Sequence, residues 1–279
     1  MQFGLFGVHY SEKTKDTFKK FVDCDYVNTF LVYNDDYFSK EATECFNLIA
    51  NAKKTCFLYF YQLAFERVDG QGIVDVGESF AEGPKTVLKK GWRENFVKLK
   101  DGLKDKPFYE AIDGFYIDEP FLCGVALDDF EEVTRFLTAL FGKRIYVCFS
   151  VAGVAPDIWT MDGVPVINEK AGRYITEQMK KRLGNRDDVR IWQTPCIMNY
   201  RGDKKERHAV DHLNGLYELL KKEKNPGGLM CYSYSVAKSE TEQIGNIALE
   251  HLLGKYPGDE HWATLEKEIE RIGREICSK

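Results

Sequence analysis

The sequence predicts an α/β protein, a parallel (β/α) barrel of TIM type, and three observations lead there. Apolar, aromatic-rich runs of strand length alternate with segments of helical spacing, which argues for a parallel sheet covered by helices. Seven such runs recur along 279 residues, a length that α/β barrels commonly reach as one domain. No glycine-rich phosphate fingerprint follows the first run, as a dinucleotide-binding open sheet would require. A single domain spanning residues 1–279 is therefore the expectation.

Taken in order, the first strand is expected over residues 3–10, ending in His9 and Tyr10 ahead of a helix over 12–24 that puts Phe18, Phe21 and Val22 on one face. A second strand over 29–33 ends in Asn34, Asp35, Asp36 and Tyr37, and Ser39 is placed to cap a helix running through Ala52. The third strand, 55–63, is apolar until Gln62. Residues 64–84 show no period, and a helix is expected over 84–104 with Val87, Leu88, Trp92, Phe96, Val97 and Leu99 toward the core. The fourth strand, 113–119, ends in Asp118 and Glu119, and Pro120 stops its ladder because proline has no N–H to donate. A helix over 128–141 precedes a fifth strand, 144–151, that ends at Ser150. Residues 152–168 form a second long connection carrying Trp159, within which 164–167 are a candidate short eighth strand. A helix over 169–184, a strand over 189–197 with Trp192 and Gln193, and a helix over 203–224 follow. Residues 225–228 read as a tight turn before the last strand, 229–236, and two helices over 239–254 and 259–277 close the chain.

The long connections, 64–84 and 152–168, both follow strands, and in barrels the strand-to-helix loops build the working face. Asp118 and Glu119 sit at that same end. So do His9, Tyr10, Asn34, Asp35, Gln62, Ser150, Gln193, Tyr232 and Tyr234, with Trp192 beside them. Amides, hydroxyls, carboxylates and aromatic faces suit a sugar, which offers many hydroxyls and one apolar C–H face. Few cations accompany them, which disfavours a phosphorylated substrate.

Composition removes other classes. A net charge of -5 gives no basic field for a nucleic-acid backbone. The opening residues carry no basic and apolar leader, and no apolar run is long enough to span a bilayer, so no membrane partner and a cytoplasmic setting are expected. The eight cysteines are scattered without a C-x-x-C pair, and Cys56, Cys148, Cys196 and Cys231 fall in expected strands as small hydrophobes. No metal and no cofactor are expected. His208 and His212 have the spacing of a metal pair, but they are assigned to an outward, polar helix face and lack the glutamate of a metalloprotease motif.

The run Asp113-Gly114-Phe115-Tyr116-Ile117-Asp118-Glu119-Pro120 resembles the fourth strand of glycoside-hydrolase-type (β/α) barrels. Its Asp-Gly-x-x-x-Asp part is similar to chitinase-type barrels, and its Glu-Pro ending is similar to the acid/base strand of the large retaining-glycosidase clan. Tyr116 and Pro120 stand where chitinases carry acidic residues, and Asp118 stands where the retaining clan has Asn. The resemblance implies a glycosidase acting on an oligo- or polysaccharide, with Glu119 as general acid/base. By likeness to hexosaminidase-type barrels, whose adjacent Asp-Glu pair works with the sugar's own acetamido group, Asp118 becomes the assisting carboxylate. The last strand offers no glutamate where the retaining clan places its nucleophile. A non-catalytic glycan- or ligand-binding barrel of the same ancestry is the alternative.

Overall fold

The computed structural model describes residues 1–12, 14–34, 36–68, 86–120, 123–148, 177, 180–181, 190–195, 197, 209–232, 234 and 249–279. The described elements are β1 (Gln2–Leu5), α1 (Lys15–Asp23), β2 (Thr29–Val32), α2 (Lys40–Asn51), β3 (Thr55–Tyr59), α3 (Tyr61–Ala64), β4 (Phe65–Arg67), β5 (Thr86–Leu88), α4 (Trp92–Leu103), a 3₁₀ turn (Tyr109–Ala111), β6 (Ile112–Asp118), α5 (Leu127–Phe141), β7 (Arg144–Cys148), β8 (Ile191–Gln193), α6 (Ala209–Lys221), β9 (Pro226–Cys231), α7 (Leu249–Lys255) and α8 (Glu260–Cys277). The chain divides into two compact units, Met1–Phe30 with Ile158–Lys279, and Leu31–Asp157. Among the described residues no helix is long and apolar enough to cross a membrane.

In the first unit the sheet order is β1-β9-β8, and both pairings are parallel. Side chains alternate across a strand, so the register puts Phe3, Leu229 and Gln193 on one face and Gln2, Gly228 and Trp192 on the other. The first face is covered by α8, whose Gly273 lies against the Phe3 ring. α8 itself is amphipathic: Trp262, Leu265, Ile269, Ile272 and Ile276 are buried, and Asp259 caps its start by accepting the His261 N–H at 3.0 Å.

Residues 226–228 are strand here, not the tight turn that their glycines suggested. Both glycines are used for close approach. A Cβ on Gly228 would stand 2.0 Å from the Gln2 carbonyl oxygen, and one on Gly227 would stand 2.1 Å from the Trp192 indole nitrogen.

The second unit holds the order β2-β3-β6-β7, with β3, β6 and β7 parallel. Phe115 of β6 points at the helices, meeting Phe96 of α4 and Phe141 of α5 at centroid distances of 6.5 and 4.6 Å. The opposite face therefore carries Gly114, Tyr116 and Asp118, joined in register by Phe57 and Tyr59 from β3 and by Tyr146 and Cys148 from β7. Gly114 is there because a Cβ would come within 2.2 Å of the Arg144 carbonyl oxygen. The parallel strand-helix alternation, the capping of α2 by Ser39, and helices α5 and α8 all follow the expectation.

Other expectations change as well. The third strand stops at Tyr59, and Gln62 rides on the short helix α3. The helix expected from residue 84 begins only at Trp92; Thr86–Leu88 instead pairs antiparallel with Phe65–Arg67, and Gly91, at φ +77°, turns the chain between the two. Val87 and Val97, expected in the core, are 41% and 42% exposed. His212 is buried on α6 rather than facing outward, with 7% of its surface exposed. Residues 164–167 and His208 lie outside the described residues.

The glycine packing yields a stability test. Gly228→Ala should destabilise by about 1–3 kcal/mol or more through overpacking. Gly254→Ala, on α7 with nothing within 4 Å of the new methyl, should stabilise by up to about 1 kcal/mol. Urea unfolding midpoints of the two variants check the pair.

Candidate functional site at the end of strand β6

Parity along β6 puts Tyr116 and Asp118 on the face away from the helices, and neighbouring strands surround them with rings. Tyr59 lies 5.0 Å from Tyr116 and 5.0 Å from Tyr33, and it stacks on Tyr61 at 6.3 Å. This floor removes water from the Asp118 carboxyl and raises its pKa above the ordinary aspartate value, while a hydrogen bond with the Cys148 thiol pulls the other way. Tyr59 and Tyr116 are held protonated, by burial first and with the Asp118 charge adding to it. Burial is thus the cause of the raised pKa, and it acts on Asp118.

Glu119 is different in kind. Its N–H donates to the Cys148 carbonyl at 2.9 Å, so the β6-β7 ladder runs one residue past Asp118. Strand alternation would then turn its side chain toward the helices. Instead Glu119 adopts φ +41°, in the left-handed region that non-glycine residues avoid at roughly 1–2 kcal/mol. The conformation is over-determined: the Glu119 carbonyl accepts the Cys123 N–H at 3.0 Å, the Pro120 carbonyl accepts the Val125 N–H at 2.9 Å, and the Cys123 carbonyl accepts the Thr86 hydroxyl, which bonds Tyr61 Oη at 2.8 Å. Backbone strain held by its surroundings concentrates at functional positions.

Asn34 and Gln62 form a second cluster in this unit. The Gln62 amide donates to the Asn34 carbonyl at 2.9 Å and hydrogen-bonds Tyr37, whose hydroxyl donates to the Tyr59 carbonyl at 2.6 Å. Asn34 Oδ1 accepts the Asp36 N–H at 2.9 Å, and Asp36 Oδ1 accepts the Phe38 N–H at 2.8 Å, so these side chains shape the turn before α2. Gln62 Oε1 is enclosed with no hydrogen-bond partner among the described residues.

The other expected residues belong to the first unit. His9 is kept neutral, its pKa lowered by burial. Trp192 lies over Gly227 and Gly228 on the face away from α8. Gln193 is buried on the face that α8 covers, in register with Leu229. Tyr232 is 40% exposed and meets Phe6 edge-on at 5.6 Å. Tyr234 is buried against Phe21 at 4.6 Å, with its hydroxyl between Lys20 Nζ at 3.2 Å and Glu266 Oε1 at 3.3 Å, a tie among helices. Asp35 and Ser150, and the segments 69–85 and 152–168, lie outside the described residues. Among the described residues no group of three or more His, Cys, Asp or Glu could hold a metal ion.

Sequence reasoning missed Tyr33, Tyr59 and Cys148. Tyr116 was within reach, being two residues before Asp118 and hence on its face. The others depend on which strand neighbours β6, and no residue of β3 or β7 announces that.

No protein-family model matches the chain, and no curated protein matches it. Solved structures do. A GH5_18 protein from Bifidobacterium longum subsp. infantis aligns at TM-score 0.56 and 10% identity, covering 100% of this chain and 79% of that one. A noncanonic maltogenic alpha-amylase, AmyB, from Thermotoga neapolitana aligns at TM-score 0.52 and 11% identity, covering 99% and 76%. Both are TIM-barrel proteins, and at these identities the likeness is one of fold. The chain is thus an α/β protein with parallel sheets, similar in fold to these TIM-barrel structures.

Two measurements test the site. Glu119→Gly should be about 1 kcal/mol more stable than Glu119→Ala, because only glycine relieves the positive φ; equal unfolding free energies would remove the strain. For Asp118 the folded state binds the proton more tightly than the unfolded chain, so stability falls as pH rises from the ordinary value of 3.8 toward the raised folded one. Asp118→Asn, which cannot ionise, should gain on wild type through that window and hold its lead at higher pH, read as unfolding free energy against pH.

Proposed function

We propose that this protein is a glycoside-hydrolase-like (β/α) barrel of one domain that acts on an oligo- or polysaccharide, with Glu119 as general acid/base and Asp118 as the assisting carboxylate. The observation that carries the reading is Glu119 in a left-handed backbone immediately after the half-buried Asp118, at the carboxyl end of a central strand. The likeness of fold to two glycoside hydrolases supports it.

Glycoside cleavage needs a group that protonates the leaving oxygen and a second that stabilises or attacks the anomeric centre. Glu119, on the turn that leaves the strand, serves the first need. Asp118, fixed on the strand, serves the second by orienting the substrate's own nucleophile, for which a 2-acetamido group is the candidate. Tyr33, Tyr59, Tyr116 and the Asn34-Gln62 cluster supply ring faces and polar atoms on the same unit. His9, Trp192, Tyr232 and Asp35 stay in the proposed set from sequence alone.

The raised pKa of Asp118 favours one variant of the reading, in which Asp118 carries the proton and Glu119 assists. Leaving-group dependence separates the two. Loss of a general acid spares substrates with activated aryl leaving groups and damages those with sugar leaving groups.

Assayed on aryl glycosides and oligosaccharides, Glu119→Gln should lower kcat by about 10² to 10⁴-fold on unactivated substrates with binding little changed. Asp118→Asn should damage 2-acetamido sugars selectively. If Asp118→Asn is instead the variant that spares activated aryl substrates, the roles exchange. Wild-type protein that binds a glycan and hydrolyses none of the panel, with Glu119→Gln unchanged in affinity, would establish the non-catalytic alternative.

A further inference from the structure

We propose that Cys148 is the positioning residue of the carboxylate pair, its carbonyl holding the Glu119 backbone and its thiol holding the Asp118 side chain. The proposal rests on the reading of Asp118 and Glu119 as the working pair, but the geometry behind it stands apart from any sugar.

Cys148 is the last residue of β7 and pairs directly with Asp118 in the parallel register, so both side chains project from the same face of the sheet. The next step of the ladder is the 2.9 Å hydrogen bond from the Glu119 N–H to the Cys148 carbonyl. One residue therefore touches both members of the pair through two different groups. The carbonyl pins the backbone at the point where φ turns positive. The thiol donates to the Asp118 carboxylate and stabilises its charged form against the burial that opposes it.

Other groups face the same carboxyl. Tyr116 comes from β6 itself, Tyr59 from β3, and Cys123 from the loop beyond Glu119, where its thiol lies 3.9 Å from the Asp118 carbonyl oxygen. Tyr59 and Tyr116 stay protonated well beyond neutral pH, so neither adds a charge near Asp118 there. Cys148 is half-buried, at the border between this floor and solvent. A serine there keeps a donor of similar size. An alanine or valine removes the donor and leaves the carbonyl in place, which separates the two functions of the residue.

The test is the titration of the Asp118 side-chain carboxyl, followed by carbon NMR in the full chain, for wild type, Cys148→Ala, Cys148→Val and Cys148→Ser. In the alanine and valine variants the midpoint should move to higher pH, and in the serine variant it should return to or below the wild-type position. Where hydrolysis is measurable, the acidic limb of the rate profile should move the same way, with kcat reduced about 3 to 10-fold and KM little changed, the size expected for one lost hydrogen bond. A serine variant that titrates like alanine, or an alanine variant that titrates like wild type, overturns the proposal. Absence of hydrolysis in every form would overturn the glycosidase reading instead, and the carboxyl titration would still decide the role of Cys148. Should alanine fail to fold, the serine-valine comparison decides the same question.

Discussion

The pairing of β6 with β7 is the constraint on which the candidate site depends. At its beginning the two backbones approach so closely that only glycine fits at position 114, against the Arg144 carbonyl. At its end the same ladder delivers Cys148 to Asp118 and to the Glu119 N–H. Between those ends the register is unbroken over five residue pairs, so a slip by one would exchange the two faces of β6. Phe115 would then leave Phe96 and Phe141, and Asp118 would turn toward the helices. The apolar side of the strand fixes the polar side.

The same alternation explains why a carboxylate is held in a poorly hydrated place. One face of β6 is consumed by helix packing through Phe115, which leaves the other to carry large rings in register: Phe57, Tyr59, Tyr116 and Tyr146. Rings of that size displace water from the next side chain along their face of the strand. That side chain is Asp118, and its raised pKa is the electrostatic consequence of an aromatic layer built for packing. The surface ion pair between Arg144 and Asp113 at 3.3 Å, with Arg144 half-exposed, adds little by comparison.

Much of this was legible in the sequence where local chemistry decides. Pro120 marks the end of β6 to within two residues, Ser39 caps α2, and the spacing of Phe18, Phe21 and Val22 gives the buried face of α1. The failures were set by neighbours. Gly227 and Gly228 look like a turn because glycine permits one, but here they admit the Gln2 carbonyl and the Trp192 ring from flanking strands. Thr86–Leu88 has a helical continuation in sequence, yet Phe65–Arg67 offers a ladder and β-branched Thr86 and Val87 suit it. Gln193 was read as an end-of-strand polar group; pairing with Leu229 puts it on the buried Phe3–Leu229 face of the sheet. The pair Asp118 and Glu119 stands out in the sequence as two adjacent carboxylates ending an apolar strand, whereas Cys148, their neighbour across the ladder, reads as a small hydrophobe until its strand partner is known.

The strained backbone at Glu119 completes this account. Asparagine or glycine would occupy φ +41° with less strain, so a glutamate there forgoes roughly 1–2 kcal/mol that a packing role would not require. The surrounding bonds to Cys148, Cys123 and, through Thr86, to Tyr61 prevent relaxation into the β region. Such relaxation would restore alternation and send the carboxylate to the helix side. The left-handed turn breaks that alternation at Glu119, the carboxylate that directly follows the Asp118 end of β6. A strand presents only every second side chain to one face, and the left-handed turn at Glu119 interrupts that alternation immediately after Asp118, which is the backbone condition that the proposed pair requires.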